Sequence, residues 1–107
     1  MILHTVNKSP FASQCLVDCL RCVTSGDVVL LIENGVYGST CLRATTLTPL
    51  QKSITELAAT GVLFYILSAD LEARGLDRKS LLTGLETVDY DGFVDLVSQS
   101  DKVISWY

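Results

Sequence analysis

Two short runs of unbroken apolar residues, Val28–Ile32 and Val62–Leu67, constrain this chain more than any other feature. A strand covered on one face alternates apolar and polar residues, so a run with no polar alternate is a strand buried on both faces. Both runs are far shorter than the ~20 residues that a membrane-spanning helix needs. Strand and helix patterns alternate around them. A strand over Ile2–Asn7 precedes a helix from Pro10 to Thr24, with Ser9-Pro10 as cap and first helical residue and Ser25-Gly26 as its stop. After the strand Asp27–Glu33 comes a helix from Pro49 to Thr60, closed by Gly61, and then the strand Val62–Leu67. A short helix, Ala69–Arg74, ends at Gly75; the strand Glu86–Asp89, the helix Tyr90–Gln99 and the strand Lys102–Trp106 follow. In the last helix Phe93, Val94 and Val97 are expected to face inward. Val36–Thr46 carries no clear element. The alternation predicts one α/β domain over residues 1–107, a three-layer α/β/α sandwich around a mostly parallel five-stranded sheet.

A chain of 107 residues is long enough to bury roughly 60–70% of its unfolded surface without staples. With 49% apolar and 19% charged residues it is not a disordered segment. The mean hydropathy of +0.38 is high for so small a protein, and predicts a subunit interface in addition to a core. Eight Lys and Arg against twelve Asp and Glu leave a net charge of −4, without the basic footprint of a direct nucleic-acid binder. Met1–Thr5 has neither a basic n-region nor an apolar h-region, so export is not expected. Three of the four cysteines crowd into eight residues, which suits reduced thiols in the cytoplasm better than a secreted disulfide framework.

Those three are Cys15, Cys19 and Cys22, at the C-x3-C-x2-C spacing with which radical enzymes hold a 4Fe–4S cluster. A cluster needs a loop on which three sulfurs converge, whereas offsets of four and seven along a helix place them in a stripe. Cys19 and Cys22 form a lone CxxC, without the second ligand pair of a structural zinc site. They also lie too far along the helix for the dipole that activates redox pairs. No metal or cofactor is therefore expected, and the helix pattern favours packing: Ala12, Cys15, Leu16, Cys19, Leu20 and Val23 share one face. Asn34-Gly35 makes a turn after the second strand, with no P-loop and no dinucleotide fingerprint around it. His4, the only histidine, falls mid-strand and reads as a packed or hydrogen-bonded residue rather than a base. Asp89 and Asp91 suit the start of a helix, and Asp95 its solvated side.

Four stretches carry a resemblance that these readings do not supply: Leu3-His4-Thr5-Val6-Asn7-Lys8-Ser9-Pro10-Phe11, Gly26–Tyr37, Ala69-Asp70-Leu71-Glu72-Ala73-Arg74-Gly75 and Val88–Leu96, with Trp106 near the end. Together they resemble the TusB/DsrH family over nearly the whole chain. The resemblance implies a DsrE-like fold and a place in a heterohexamer, with TusC/DsrF-like and TusD/DsrE-like subunits as partners. It implies a relay of sulfur as protein persulfide. In one branch sulfur comes from TusA and leaves through TusE for 2-thiolation of the wobble uridine in tRNA; in the other the same architecture serves sulfur oxidation. The principal sulfur-carrying cysteine is expected on the TusD/DsrE-like subunit. In this chain Cys19 stands where DsrH-type members carry a first-helix cysteine, which makes it the candidate catalytic residue, in an accessory role. Cys15, Cys22 and Cys41 match no motif of the family; Asn34 and Gly38-Ser39 depart from its usual residues. The rival from another class is a stand-alone redox or iron–sulfur enzyme using Cys15, Cys19 and Cys22.

Overall fold

The structure, a computed structural model, describes residues 1–40 and 48–107. Five parallel strands form one sheet in the order β4-β3-β2-β1-β5. They are β1 (Ile2–Val6), β2 (Val28–Leu31), β3 (Leu63–Leu67), β4 (Leu85–Val88) and β5 (Lys102–Trp106). Helices α1 (Cys15–Cys22), α2 (Pro49–Ala59), α3 (Ser68–Ala73) and α4 (Tyr90–Gln99) connect them, with 3-10 turns over Glu33–Gly38 and Arg78–Ser80. No described helix is long and apolar enough to cross a membrane.

The unbroken apolar runs are explained by where their strands lie. All four residues of β2 are buried, because β1 and β3 flank it and helices cover both of its faces. Val29 and Leu31 turn toward α1 and α2, into the larger core with Val6, Leu16, Cys19, Leu20, Ile54, Phe64 and Ile66. Val28 and Leu30 turn the other way, with Leu3, Tyr65, Val88 and the two α4 residues Phe93 and Leu96. Leu71 of α3 joins the larger core, so among the described residues one face of the sheet carries three helices and the other only α4.

Helix boundaries follow local chemistry. Thr48 and Gln51 form a reciprocal capping box before α2, and Pro49 occupies its first turn. Asp89 caps α4 by accepting from the Gly92 amide at 2.8 Å. The first helix is shorter than the periodicity predicts: it begins at Cys15, not Pro10, and ends at Cys22, not Thr24. Two serines account for its late start. The Ser9 hydroxyl accepts from the Phe11 amide at 3.2 Å and the Ser13 hydroxyl from the Cys15 amide at 3.1 Å, which holds residues 9–14 in turns that compete with helix. At its other end Val23 is extended, and the Thr24 amide is taken by Asp27.

Helix α4 corrects a second expectation. Phe93 does pack inward, but its inward partner is Leu96; Val94 and Val97 are exposed. Apolar residues at 93, 94, 96 and 97 support two helical phases equally well. The phase is set at the entry, where Asp89 caps the helix and a Cβ on Gly92 would come within 3.2 Å of the Val88 side chain.

Candidate functional site

The three described cysteines occupy three different environments on one short helix. Cys15 is the first residue of α1 and is half-buried against the core; Cys22 is the last and is exposed. Cys19 lies between them and is fully buried, packed beneath the helix on the sheet. Burial pushes its thiol up to about 12, and the neighbouring Cys22 thiol and the Asp27 carboxylate add to the effect. At neutral pH such a thiol stays protonated, and the thiolate is the form that attacks sulfur. The fourth cysteine, Cys41, lies outside the described residues. Among those residues no group of three His, Cys, Asp or Glu side chains converges as metal ligands.

An expected result follows for the thiols of the folded chain. A brief pulse of alkylating reagent, read by peptide mapping, should label Cys22 first and Cys15 more slowly. Cys19 should react only on unfolding. Labelling of Cys19 as fast as Cys22 would show that α1 opens readily.

Below α1 the same face of the sheet holds a buried polar array that the sequence does not announce. The Trp106 indole N–H donates to Nδ1 of His4 at 3.1 Å, and the His4 and Trp106 rings are stacked. An indole nitrogen can only donate, so Nδ1 is an acceptor and the ring proton of the neutral imidazole is on Nε2. That nitrogen faces Oδ2 of Asp27 at 3.4 Å. The Asp27 carboxylate also accepts from the amides of Ile2 at 3.2 Å and Thr24 at 3.1 Å, and from the Thr24 hydroxyl at 3.4 Å. Both nitrogens of the only histidine are thus engaged, the Nδ1 lone pair by the Trp106 indole and Nε2 by Asp27, so neither faces a thiol. The array ties β5, β1 and the entry of β2 together. It holds structure rather than performing acid–base chemistry.

A second polar cluster sits at the carboxyl ends of β2 and β3, where open α/β sheets present their ligand-binding loops. Glu33 has a left-handed backbone, with φ of 49°, a conformation that a residue with a Cβ adopts at a cost. Its amide donates to Asp70 Oδ2 at 2.7 Å. Arg74 closes the cluster, 3.0 Å from Asn34 Oδ1 through Nε and 3.6 Å from Asp70 Oδ1 through Nη1. Two of the stretches singled out in the sequence, around Glu33-Asn34-Gly35 and Ala69–Gly75, therefore meet in space. Next to them, at the end of β1, the Asn7 Oδ1 atom is buried without a hydrogen-bond donor among the described residues. A groove of about 580 Å³ lies elsewhere, between α1 and α2. Val17, Leu20, Arg21, Leu50 and Glu56 line it, and no described cysteine does.

A family described as "DsrH like protein" matches residues 8–103. A protein named TusB from Pectobacterium parmentieri is 30% identical over 105 residues, covering 98% of this chain and 100% of that one. A TusB protein from Erwinia tasmaniensis is 32% identical over 109 residues, with the same coverage. Among solved structures, the ychN protein from E. coli superposes with a TM-score of 0.84 at 18% identity, over 98% of this chain and 97% of that one. A protein of unknown function from Methanobacterium thermoautotrophicum reaches 0.76 at 17% identity, over 97% and 96% of the two chains. These two likenesses establish a shared fold.

Proposed function

Because this chain belongs to the family of DsrH like proteins, we propose that it is a subunit of a sulfur-relay complex that serves 2-thiolation of the wobble uridine in tRNA. The observation that carries the reading is the match to TusB proteins over their full length. In this reading the chain acts in the cytoplasm within a heterohexamer beside TusC/DsrF-like and TusD/DsrE-like subunits. TusA supplies sulfur to the complex and TusE removes it. The chain itself works chiefly through its surfaces, since the buried Cys19 presents no thiolate and His4 offers no base.

Cys19 is an accessory position in this proposal, and the main persulfide is carried on the TusD/DsrE-like partner. The variant Cys19→Ala removes the sulfur without leaving a lone hydroxyl in the core, and should keep the complex assembled. Loaded with labelled sulfur from a cysteine desulfurase, the variant complex should transfer most of what the parent transfers. Loss of nearly all transfer would make Cys19 a principal carrier.

Deleting the gene tests the role itself. Wobble 2-thiouridine in the Lys, Glu and Gln tRNAs should fall several-fold, measured by mass spectrometry of digested tRNA. Unchanged thiolation would refute the proposal. A second reading, a DsrH-type subunit in sulfur oxidation, is favoured by the cysteine that α1 places at position 19. Intact thiolation combined with poor growth on reduced sulfur compounds would establish it.

A further inference from the structure

Five of the eight large exposed apolar side chains among the described residues lie on α4 or on the sheet face it covers. Tyr90, Val94 and Val97 are 61%, 64% and 40% exposed, and their spacing of four and three places them in one stripe along α4. Phe93 and Leu96, which hold the helix to the sheet, occupy a different stripe. Two further exposed residues lie on the sheet face that α4 covers. Leu63 pairs with Val28, and Val103 with Leu3; Val28 and Leu3 are core partners of Phe93 and Leu96, so all four strand residues point the same way. Leu63 and Val103 are nonetheless 48% and 44% exposed. One helix does not cover a face of five strands, and the opposite face takes three.

The charged side chains carried by α4 itself, and by the edge strand on the face it covers, are acidic. Asp91 and Asp95 follow the stripe along the outer side of α4, and Glu86 is exposed on the same sheet face, in register with Tyr65. No Lys or Arg lies between Lys79 and Lys102, and Lys102, in register with Ile2, points to the other face. A second copy of this chain would set these carboxylates against their equals. We infer that the α4 face docks a partner protein through an apolar patch bordered by Lys or Arg, rather than another copy of this chain. The inference rests on the reading of the chain as a subunit of a mixed complex, and adds which surface is used and what the partner brings to it. The apolar centre supplies affinity, while the acidic border selects the partner and makes the contact sensitive to salt.

The test uses the complex purified after co-expression with the related α/β subunits. A photo-crosslinking amino acid at position 94, with the exposed Ala59 of α2 as the control position, should join this chain to another subunit. Lys or Arg should lie next to the joined residue. Val94→Asp, at an exposed site where the fold is retained, should weaken binding of that subunit by about tenfold or more. Asp91→Lys with Asp95→Lys should weaken it as well and remove most of its salt dependence. A crosslink to a second copy, or to a segment without basic residues, would overturn the inference. So would a complex that assembles with no crosslink from position 94 and with unchanged affinity in Val94→Asp; the subunit reading would then stand. Failure of the chain to join any related subunit would overturn both.

Discussion

Gly35→Ala should lower the melting temperature by roughly 10–25 °C, from a loss of about 3 kcal/mol at roughly 4–8 °C for each kcal/mol in a domain of this size. The cause is a close approach between backbones. A Cβ on Gly35 would sit 2.1 Å from the carbonyl oxygen of Val6 and 3.0 Å from its carbon. Neither atom can swing away as a side chain would. The same oxygen accepts the Ile32 amide at 3.0 Å, so moving it would also loosen the junction between the ends of β1 and β2. Gly75 supplies the control: it has φ of 65° with nothing within 4 Å of its Cβ position, so Gly75→Ala pays only the left-handed strain of about 1–2 kcal/mol. Thermal unfolding followed by circular dichroism compares the two. A Gly35→Ala protein that melts within a few degrees of the parent would show that the turn over Glu33–Gly38 yields easily.

Asp27→Ala is the second large effect. It would leave the amides of Ile2 and Thr24, the Thr24 hydroxyl and His4 Nε2 without their acceptor, the last of these in the buried interior and the others at the partly buried entry of β2. Several donors lost at once to a charged acceptor should cost about 3–5 kcal/mol, read as a fall in the urea midpoint. The pH dependence has a definite sign. Burial works to raise the Asp27 carboxyl, but the Thr24 and Ile2 amides and the His4 side chain outweigh it and hold the carboxyl below its usual range. A carboxyl held low in the fold binds its proton more tightly in the unfolded chain. Its contribution is therefore complete above the ordinary value of about 3.9 and is lost as pH falls through the lower native value. Stability should decline below about pH 4, and Asp27→Asn should flatten that decline. What slope remains belongs to other carboxylates, including Asp101, which its hydrogen bond to the Met1 ammonium holds low. An unchanged acid slope in Asp27→Asn would remove Asp27 from the account.

The frame of the sheet was legible because burial on both faces leaves a mark along the chain. The run at Val28–Ile32 gives β2, and the ends of α4 and β5 agree with the expected Tyr90–Gln99 and Lys102–Trp106. Less legible were features set by competition between local options. Ser9-Pro10 has the composition of a helix cap, yet its hydroxyl closes a turn, and nothing in the pattern ranks the two. The phase of α4 was hidden because its second apolar stripe belongs to a surface that the chain alone does not cover.

The candidate site divides in the same way. That His4 is packed and hydrogen-bonded follows from its place mid-strand, but its partners do not. Asp27 is 23 positions away and Trp106 is 102, and only the register of β1 with β2 and β5 brings them together. Cys19 falls on the apolar stripe that favours packing, and the depth of its burial depends on how α1 seats on the sheet. A signal for Asp27 did exist: an acid directly before an unbroken apolar strand has to find donors at the strand's entry.

The strand order has a consequence for synthesis on the ribosome. β1 is an interior strand, yet one of its two neighbours is β5, whose residues lie about 100 positions later; Ile2 pairs with Lys102 and Val6 with Trp106. At about 5–20 residues per second, β1 waits roughly 5–20 s for that neighbour. Throughout the delay one edge of β1 has free amides and carbonyls, and β2 and β3 can assemble against its other edge. An incomplete sheet of this kind offers an open apolar strand to any other nascent chain. Translation speed between β2 and β5, and chaperones that shield an exposed strand edge, should therefore affect the yield of this protein.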